Sequence, residues 1–294
     1  MLRNKPTPAK PMGQITRGKT ARNRLRRVDI FVSLYAASLL REASPAENKS
    51  WVVDLGYGAE AFTVLESAAH LGKINPKLPI LGVEIDQERV NAGLPYQTDR
   101  IQFRKGGFNV PLQAGESIRL IRAFNVLRQY EEAEVLPAWQ TMAACMLPDG
   151  LILEGTSDPF GKRLVTNLLR VKAADAGKKT LIWEGLLFST NFHDGFSPEM
   201  FQPVLPKNLI HHMLPGEAIY QFFEDWKSAA LQQIATQSFG LRQHFCATAL
   251  ALKTMGYPIL TRKKLLRQGF LLWQLNQPLC TISDRYGKSL PESI

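Results

Sequence analysis

The stretch Trp51-Val52-Val53-Asp54-Leu55-Gly56-Tyr57-Gly58 constrains the fold more than any other: an apolar strand ends in an acid and runs into a two-glycine turn. Glycine takes positive φ without strain and lets a ligand approach the main chain. Residues 61–69 then read as a helix, whose first amides would face that ligand. About thirty residues after Asp54, Ile80-Leu81-Gly82-Val83-Glu84-Ile85-Asp86 repeats the pattern of an apolar run closed by a carboxylate. Two strand-end acids around a glycine turn point to a nucleoside-type ligand.

Beyond the turn, short apolar runs alternate with helical stretches. Strands are expected at 78–85, 101–105, 118–125, 151–156 and 180–190, and helices at 87–92, 131–146 and 160–174. Such alternation predicts an α/β fold built from βαβ units around a mainly parallel, two-sided sheet. A leading helix is expected over 23–41, where Leu25, Val28, Phe31, Val32, Tyr35, Leu39 and Leu40 recur at roughly helical spacing. Between about 193 and 266 the chain is first broken by prolines and then helical, with Phe222, Phe223 and Trp226 on a core face. Gly269-Phe270-Leu271-Leu272-Trp273 returns as a last strand. The organisation is a basic, flexible arm at 1–22 followed by one domain at 23–294, with a helical cap inserted at about 193–266.

The formal charge of +10 is unevenly placed: Arg3, Lys5, Lys10, Arg17, Lys19, Arg22, Arg24, Arg26 and Arg27 precede a single acid, Asp29. Residues 3–27 suit contact with a nucleic acid or an acidic partner, while Pro6, Pro8, Pro11 and Gly13 and the lack of aromatic residues fit a solvated tail equally. No apolar run approaches the roughly 18 to 20 residues that span a bilayer, and the N-terminus lacks a signal-peptide core. A cytoplasmic chain with no membrane partner is expected. Cys145, Cys246 and Cys280 lie far apart without Cys-x-x-Cys spacing, so reduced thiols are expected and neither a metal site nor a disulfide framework.

Two cofactor readings compete at the turn. Gly56, Gly58 and Ala61 match a dinucleotide fingerprint, and Asp54-Leu55-Gly56-Tyr57-Gly58 matches an adenosylmethionine turn. Asp54 separates them, because a carboxylate there repels a pyrophosphate and suits a cationic sulfonium with its ammonium group. Spacing agrees: a dinucleotide acid is expected about 20 residues on, and Glu84 lies 26 residues beyond Gly58. An NAD(P)-dependent oxidoreductase is therefore the weaker reading.

From about Ser50 to Trp273 the chain resembles class I S-adenosylmethionine-dependent methyltransferases, and Thr16-Arg17-Gly18-Lys19-Thr20-Ala21-Arg22-Asn23-Arg24-Leu25-Arg26-Arg27-Val28-Asp29 resembles a feature of an uncharacterised bacterial subgroup of them. Asp54-Leu55-Gly56-Tyr57-Gly58 is similar to the family's first motif, and Glu84 to the acid that binds the ribose hydroxyls. Phe124-Asn125-Val126-Leu127 resembles the segment beside the methionine moiety, and Leu147-Pro148-Asp149-Gly150-Leu151 the turn that opens strand five. The resemblance implies a Rossmann-like, seven-stranded, mainly parallel sheet with a helical insertion before the last strand. It also implies S-adenosyl-L-methionine as cofactor, held by Asp54, Gly56, Tyr57, Gly58, Glu84, Ile85, Gly107, Phe108 and Asn125, and methyl transfer to an unidentified acceptor. Two departures stand out. Glu60 replaces a small residue in the first motif, and Lys105-Gly106-Gly107-Phe108-Asn109 offers no acid after strand three, so adenine would be read by backbone amides with Phe108 as a stacking face.

Methyl transfer is an in-line displacement at an activated carbon, so positioning and deprotonating the acceptor are the main tasks. Asn125-Val126-Leu127-Arg128 stands where a nucleobase amine methyltransferase carries Asn/Asp-Pro-Pro-Tyr, and no Pro-Cys nucleophile is present. His193 and Asp194 follow the expected sixth strand at the ligand-binding edge and are the candidate general base, or a loop pair that only hydrogen-bonds. Arg122, inside a strand, requires either a neighbouring carboxylate or an acidic substrate. The other functional reading is a non-catalytic S-adenosylmethionine-binding module that contacts RNA or a partner protein through its arm.

Overall fold

The computed structural model describes residues 10–16, 20–41, 49–174 and 178–282. The basic residues Arg3, Lys5, Arg17 and Lys19 lie outside the described residues. Strands β1 (Ser50–Leu55), β2 (Ile80–Glu84), β3 (Ile101–Lys105), β4 (Ser117–Phe124), β5 (Met146–Ser157), β6 (Arg163–Ala173), β7 (Lys179–Thr190) and β8 (Phe270–Ile282) form one sheet. Its order is β3-β2-β1-β4-β5-β6-β7-β8. The pairings from β3 to β5 are parallel. Those from β5 to β8 are antiparallel.

The sheet is thus an α/β sheet of eight strands, four of its seven pairings parallel, where seven mainly parallel strands were expected. The difference arises at 160–174, read as a helix and folded as β6. Leu164, Val165, Leu168, Leu169 and Val171 are all buried, because β6 is covered on both faces. A strand covered on both faces shows no polar alternation, and its apolar spacing is then indistinguishable from that of a buried helix.

Helices α1 (Arg26–Tyr35), α2 (Ala37–Arg41), α3 (Phe62–Leu71), α4 (Gln87–Gly93) and α5 (Val135–Ala144) accompany the parallel half. The expected leading helix is broken at Ala36, which takes φ −120°. Phe31, Val32, Val64 and Leu71 from α1 and α3 bury one face of the sheet against Val52, Leu120 and Leu153. Trp139 and Met142 from α5 bury the other against Val53, Ile121 and Ile152. Between β7 and β8 the chain forms α6 (Lys207–Ile210), α7 (Ala218–Gln232), α8 (Leu241–Thr254) and α9 (Lys263–Arg267). Phe222, Phe223 and Trp226 of α7 and Phe245 of α8 pack with Phe188 of β7 into a separate aromatic core. No described helix is long and apolar enough to cross a membrane. Cys145, Cys246 and Cys280 are half-buried.

Candidate functional site

In an open sheet of parallel strands, ligands bind beyond the carboxyl ends where the strand order reverses. Here that point lies between β1 and β4, the neighbours whose chain connections run to opposite sides of the sheet. The turn after β1 is built there: Gly56 has φ 69° and Gly58 φ 89°. Both values belong to the left-handed region that a side chain disfavours. Gly56 N donates to Val83 O at 2.8 Å, which fixes the turn against the end of β2.

Glu84, at that strand end, accepts from Gly58 N at 3.0 Å and from Ile85 N at 2.8 Å. Arg89 on α4 lies 3.5 Å from the same carboxylate. Tyr57 is buried, and its hydroxyl donates to Arg89 O at 3.0 Å. Burial pushes that phenol far above its ordinary pKa, and Glu84 adds to the shift. Asn125, at the end of β4, has φ 60°. Its amide clasps Ser157 at the end of β5, accepting from Ser157 N and donating to Ser157 Oγ, both at 3.1 Å. The turn, Glu84, Ile85, Gly107, Phe108 and Asn125 are gathered along one edge.

Asp54 is held from beneath. Arg122, fully buried in the adjacent β4, donates to Asp54 Oδ2 at 2.8 Å and to Asp29 Oδ1 on α1. Ser67 Oγ donates to the same Asp29 oxygen at 3.1 Å. Burial pushes Asp29 up to about 6, opposed by the Arg122 charge. Arg122 therefore pairs with two carboxylates of its own chain, which answers the choice between a structural partner and an acidic substrate. Asp54 is in consequence both a wall of the site and one arm of a buried ion triad.

The N-terminal segment is the part of the site that sequence reasoning missed. Residues 12–16 cross the ends of β2, β3 and β4: Phe108 N donates to Met12 O at 2.9 Å, and Met12 N to Asn109 Oδ1 at 2.7 Å. Gln14 N donates to Tyr130 Oη. Arg89 donates to Thr16 Oγ1 at 2.9 Å and to Thr16 O at 3.0 Å. Further along, Thr20 Oγ1 donates to Tyr57 O at 2.8 Å. The cavity left beside Gly56, Glu84, Ile85 and Phe108 is about 20 Å³. A second, beside Asp54, Gly56, Asn125 and Thr20, is about 30 Å³. Each has room for one or two waters. The Pro- and Gly-rich composition of this segment signals irregular backbone but not where it docks.

Arginines of the same region turn onto the fold. Arg24 Nε donates to Ser157 Oγ at 3.0 Å, Arg27 Nε donates to Ser189 Oγ at 2.6 Å, and Arg22 lies 4.3 Å over the Phe62 ring. Burial, with Arg242 nearby, pulls Arg27 down to about 9.

His193 and Asp194 are placed elsewhere. They follow β7, three strands beyond β4, which at about 4.8 Å per strand is roughly 14 Å from Asn125. His193 Nδ1 is 2.7 Å from Asp194 Oδ1, and Lys162 Nζ donates to that oxygen at 2.8 Å. The Lys162 and His193 hydrogen bonds hold Asp194 down to about 2. His212 of the cap pairs with Glu132 at 2.7 Å and Glu217 at 3.4 Å. Both glutamates push the imidazole pKa up. Two roomier cavities lie in the cap: about 530 Å³ between Phe196, Glu199 and α7, and about 300 Å³ beside Trp183, Asn208 and Trp273.

No protein-family model and no curated protein matches the chain. Among solved structures, the chain is similar over part of its length to magnesium protoporphyrin IX methyltransferase from Synechocystis PCC 6803 with bound SAH, at 14% identity and a TM-score of 0.32, covering 45% of this chain and 54% of that one. It is similar to the CMeT domain of the citrinin polyketide synthase at 13% identity and a TM-score of 0.36, covering 46% of this chain and 36% of that one. A plantazolicin methyltransferase in complex with a triazolic desmethylPZN analog and SAH aligns at 14% identity and a TM-score of 0.35, covering 46% of each chain. The chain spans about a third to a half of the length of these structures.

Proposed function

We propose that the chain is an S-adenosylmethionine-dependent methyltransferase whose cofactor lies along the carboxyl edge of β1, β2 and β4. The observation that carries the reading is the convergence there of the left-handed turn at Gly56 and Gly58, the strand-end acid Glu84 and the β4-end Asn125. Three sequence-distant segments meet at a single switch point, each carrying the group that a nucleoside ligand with a charged tail requires. S-adenosylmethionine supplies an activated methyl group on a sulfonium. Toward it this chain offers the Glu84 carboxylate for ribose hydroxyls, the Phe108 amide and ring for adenine, and the Asp54 and Asn125 side for the methionine end. A pyrophosphate at the glycine turn would lie against Asp54, which favours the sulfonium ligand over a dinucleotide.

The acceptor belongs on the side of Asn125 and Ser157, where Arg24 lines the mouth. A general base must come within hydrogen-bond reach of the proton it removes. His193 and Asp194, three strands from β4, enter this reading as acceptor-side surface.

Calorimetry with S-adenosylmethionine and S-adenosylhomocysteine tests the proposal. Binding is expected, and Glu84→Ala is expected to weaken it at least tenfold, or about 1.4 kcal/mol. Folded protein that binds neither ligand, with or without residues 1–19, sinks the reading. Binding of a nicotinamide dinucleotide instead would transfer it to the oxidoreductase class.

A further inference from the structure

Resting on the cofactor reading above, we infer that Met12–Thr16 and Thr20 are an internal occupant of the cofactor cleft, and that the ligand enters only when this arm leaves. The first ground is which groups the arm uses. Phe108 N, the amide expected to read a ring nitrogen of adenine, donates to Met12 O at 2.9 Å. A main-chain carbonyl oxygen stands where an acceptor atom of the base belongs. The Thr20 hydroxyl lies over the glycine turn itself and donates to Tyr57 O at 2.8 Å. Arg89 joins Thr16 to Glu84, so the ribose-binding acid and the arm share one guanidinium.

The second ground is space. A Cβ built on Gly107 would lie 2.0 Å from Met12 O, and one on Gly58 2.1 Å from Thr20 Oγ1. The arm therefore lies directly against the two glycines that would admit a ligand. A lid that closes over a ligand leaves a ligand-sized chamber beneath it, and sites for small molecules measure about 300–1,000 Å³. Here the spaces beneath the arm are about 20 and 30 Å³. The segment fills the cleft; it does not roof it.

The third ground is that the arm can leave without unfolding the domain. The three apolar cores draw on no described residue before Leu25. At the junction, Asn23 takes φ 61° and its amide is held by the Glu66 carboxylate at 2.9 Å. Next to it, α1 is fixed by the Asp29–Arg122 pair. Motion of the arm thus ends at a turn whose far side is anchored. An internal occupant lowers apparent affinity by the fraction of molecules in which it is displaced.

The test is calorimetry with S-adenosylhomocysteine on the full chain, on a chain lacking residues 1–19, and on Asn109→Ala/Gln129→Ala. The double variant loosens the arm at Met12 and Ile15 while leaving it attached. Truncation is expected to tighten binding at least tenfold, with the double variant in between. Equal or weaker binding by both variants overturns the inference, and the double variant decides alone where the truncated chain fails to fold. Amide exchange of the full chain separates this failure from that of the cofactor reading. Met12 and Gln14 amides are expected to be protected without ligand and to lose protection when it binds. If they exchange freely without ligand while the ligand binds, the inference falls and the cofactor reading stands. If they are protected and no variant binds, the cofactor reading falls and carries the inference with it.

Discussion

Glu154 sits inside β5 with 2% of its surface exposed, accepting one hydrogen bond from Asn167 Nδ2 at 3.0 Å. Burial pushes its carboxyl up to about 7 from an ordinary 4.5, against the pull of that hydrogen bond. The folded protein therefore holds this proton more tightly than the unfolded chain does. The stability tied to the protonated form is complete below the ordinary value and is lost as the pH rises through the window from 4.5 to about 7. Glu154→Gln keeps the shape and removes the titration. Across that window the variant is expected to gain about 3 kcal/mol relative to the parent, read from urea unfolding at the two ends. The Asp29–Arg122–Asp54 triad is another buried ionic feature, and only half of it was legible. A cation inside an apolar strand announces that it needs a partner, which the sequence shows at Arg122. That Asp29, the single acid of a basic stretch, is the partner depends on α1 lying across β4, a contact between residues 93 positions apart.

Elements were legible where local pattern and tertiary environment agree. Asp86 caps α4 by accepting from Glu88 N at 2.8 Å, and β2 ends at Glu84, while β1 ends one residue past Asp54 and β4 one residue before Asn125. Where two covers remove the alternation, as along β6, pattern alone misassigns the element. Aromatic residues recur on one face of α7, and these supply a further prediction. Trp226 is buried among Phe201, Phe222 and Phe245, with Phe201 stacked at 5.3 Å between centroids. Trp226→Ala is expected to cost about 3–5 kcal/mol in denaturant unfolding. S-adenosylhomocysteine affinity should be unchanged, since the cap core and the glycine turn share no side chain. A parallel loss of affinity would show that the cap reaches the cofactor edge.

Over the whole molecule the sheet joins two kinds of connectivity at β5. From β5 to β7 each strand pairs with the next along the chain, and these hairpins close short loops. The parallel half needs crossovers, and the N-terminal arm is bound by contacts that span from 37 to 116 residues. Distant contacts carry the larger closure entropy, and segments held by few partly exposed hydrogen bonds open most readily. Native-state amide exchange is therefore expected to rank the arm first to open, then the parallel edge strand β3, and the β5–β7 meander last; an arm as slow as β6 would contradict the ranking. The same ordering governs the protein's birth. The arm leaves the ribosome before its docking surface at Asn109 and Tyr130 is made, so each new molecule passes through an interval with the glycine turn uncovered. A small ligand present during synthesis meets an open cleft, whereas one added to mature protein meets a closed one, and the history of a preparation becomes a variable in how much ligand it carries.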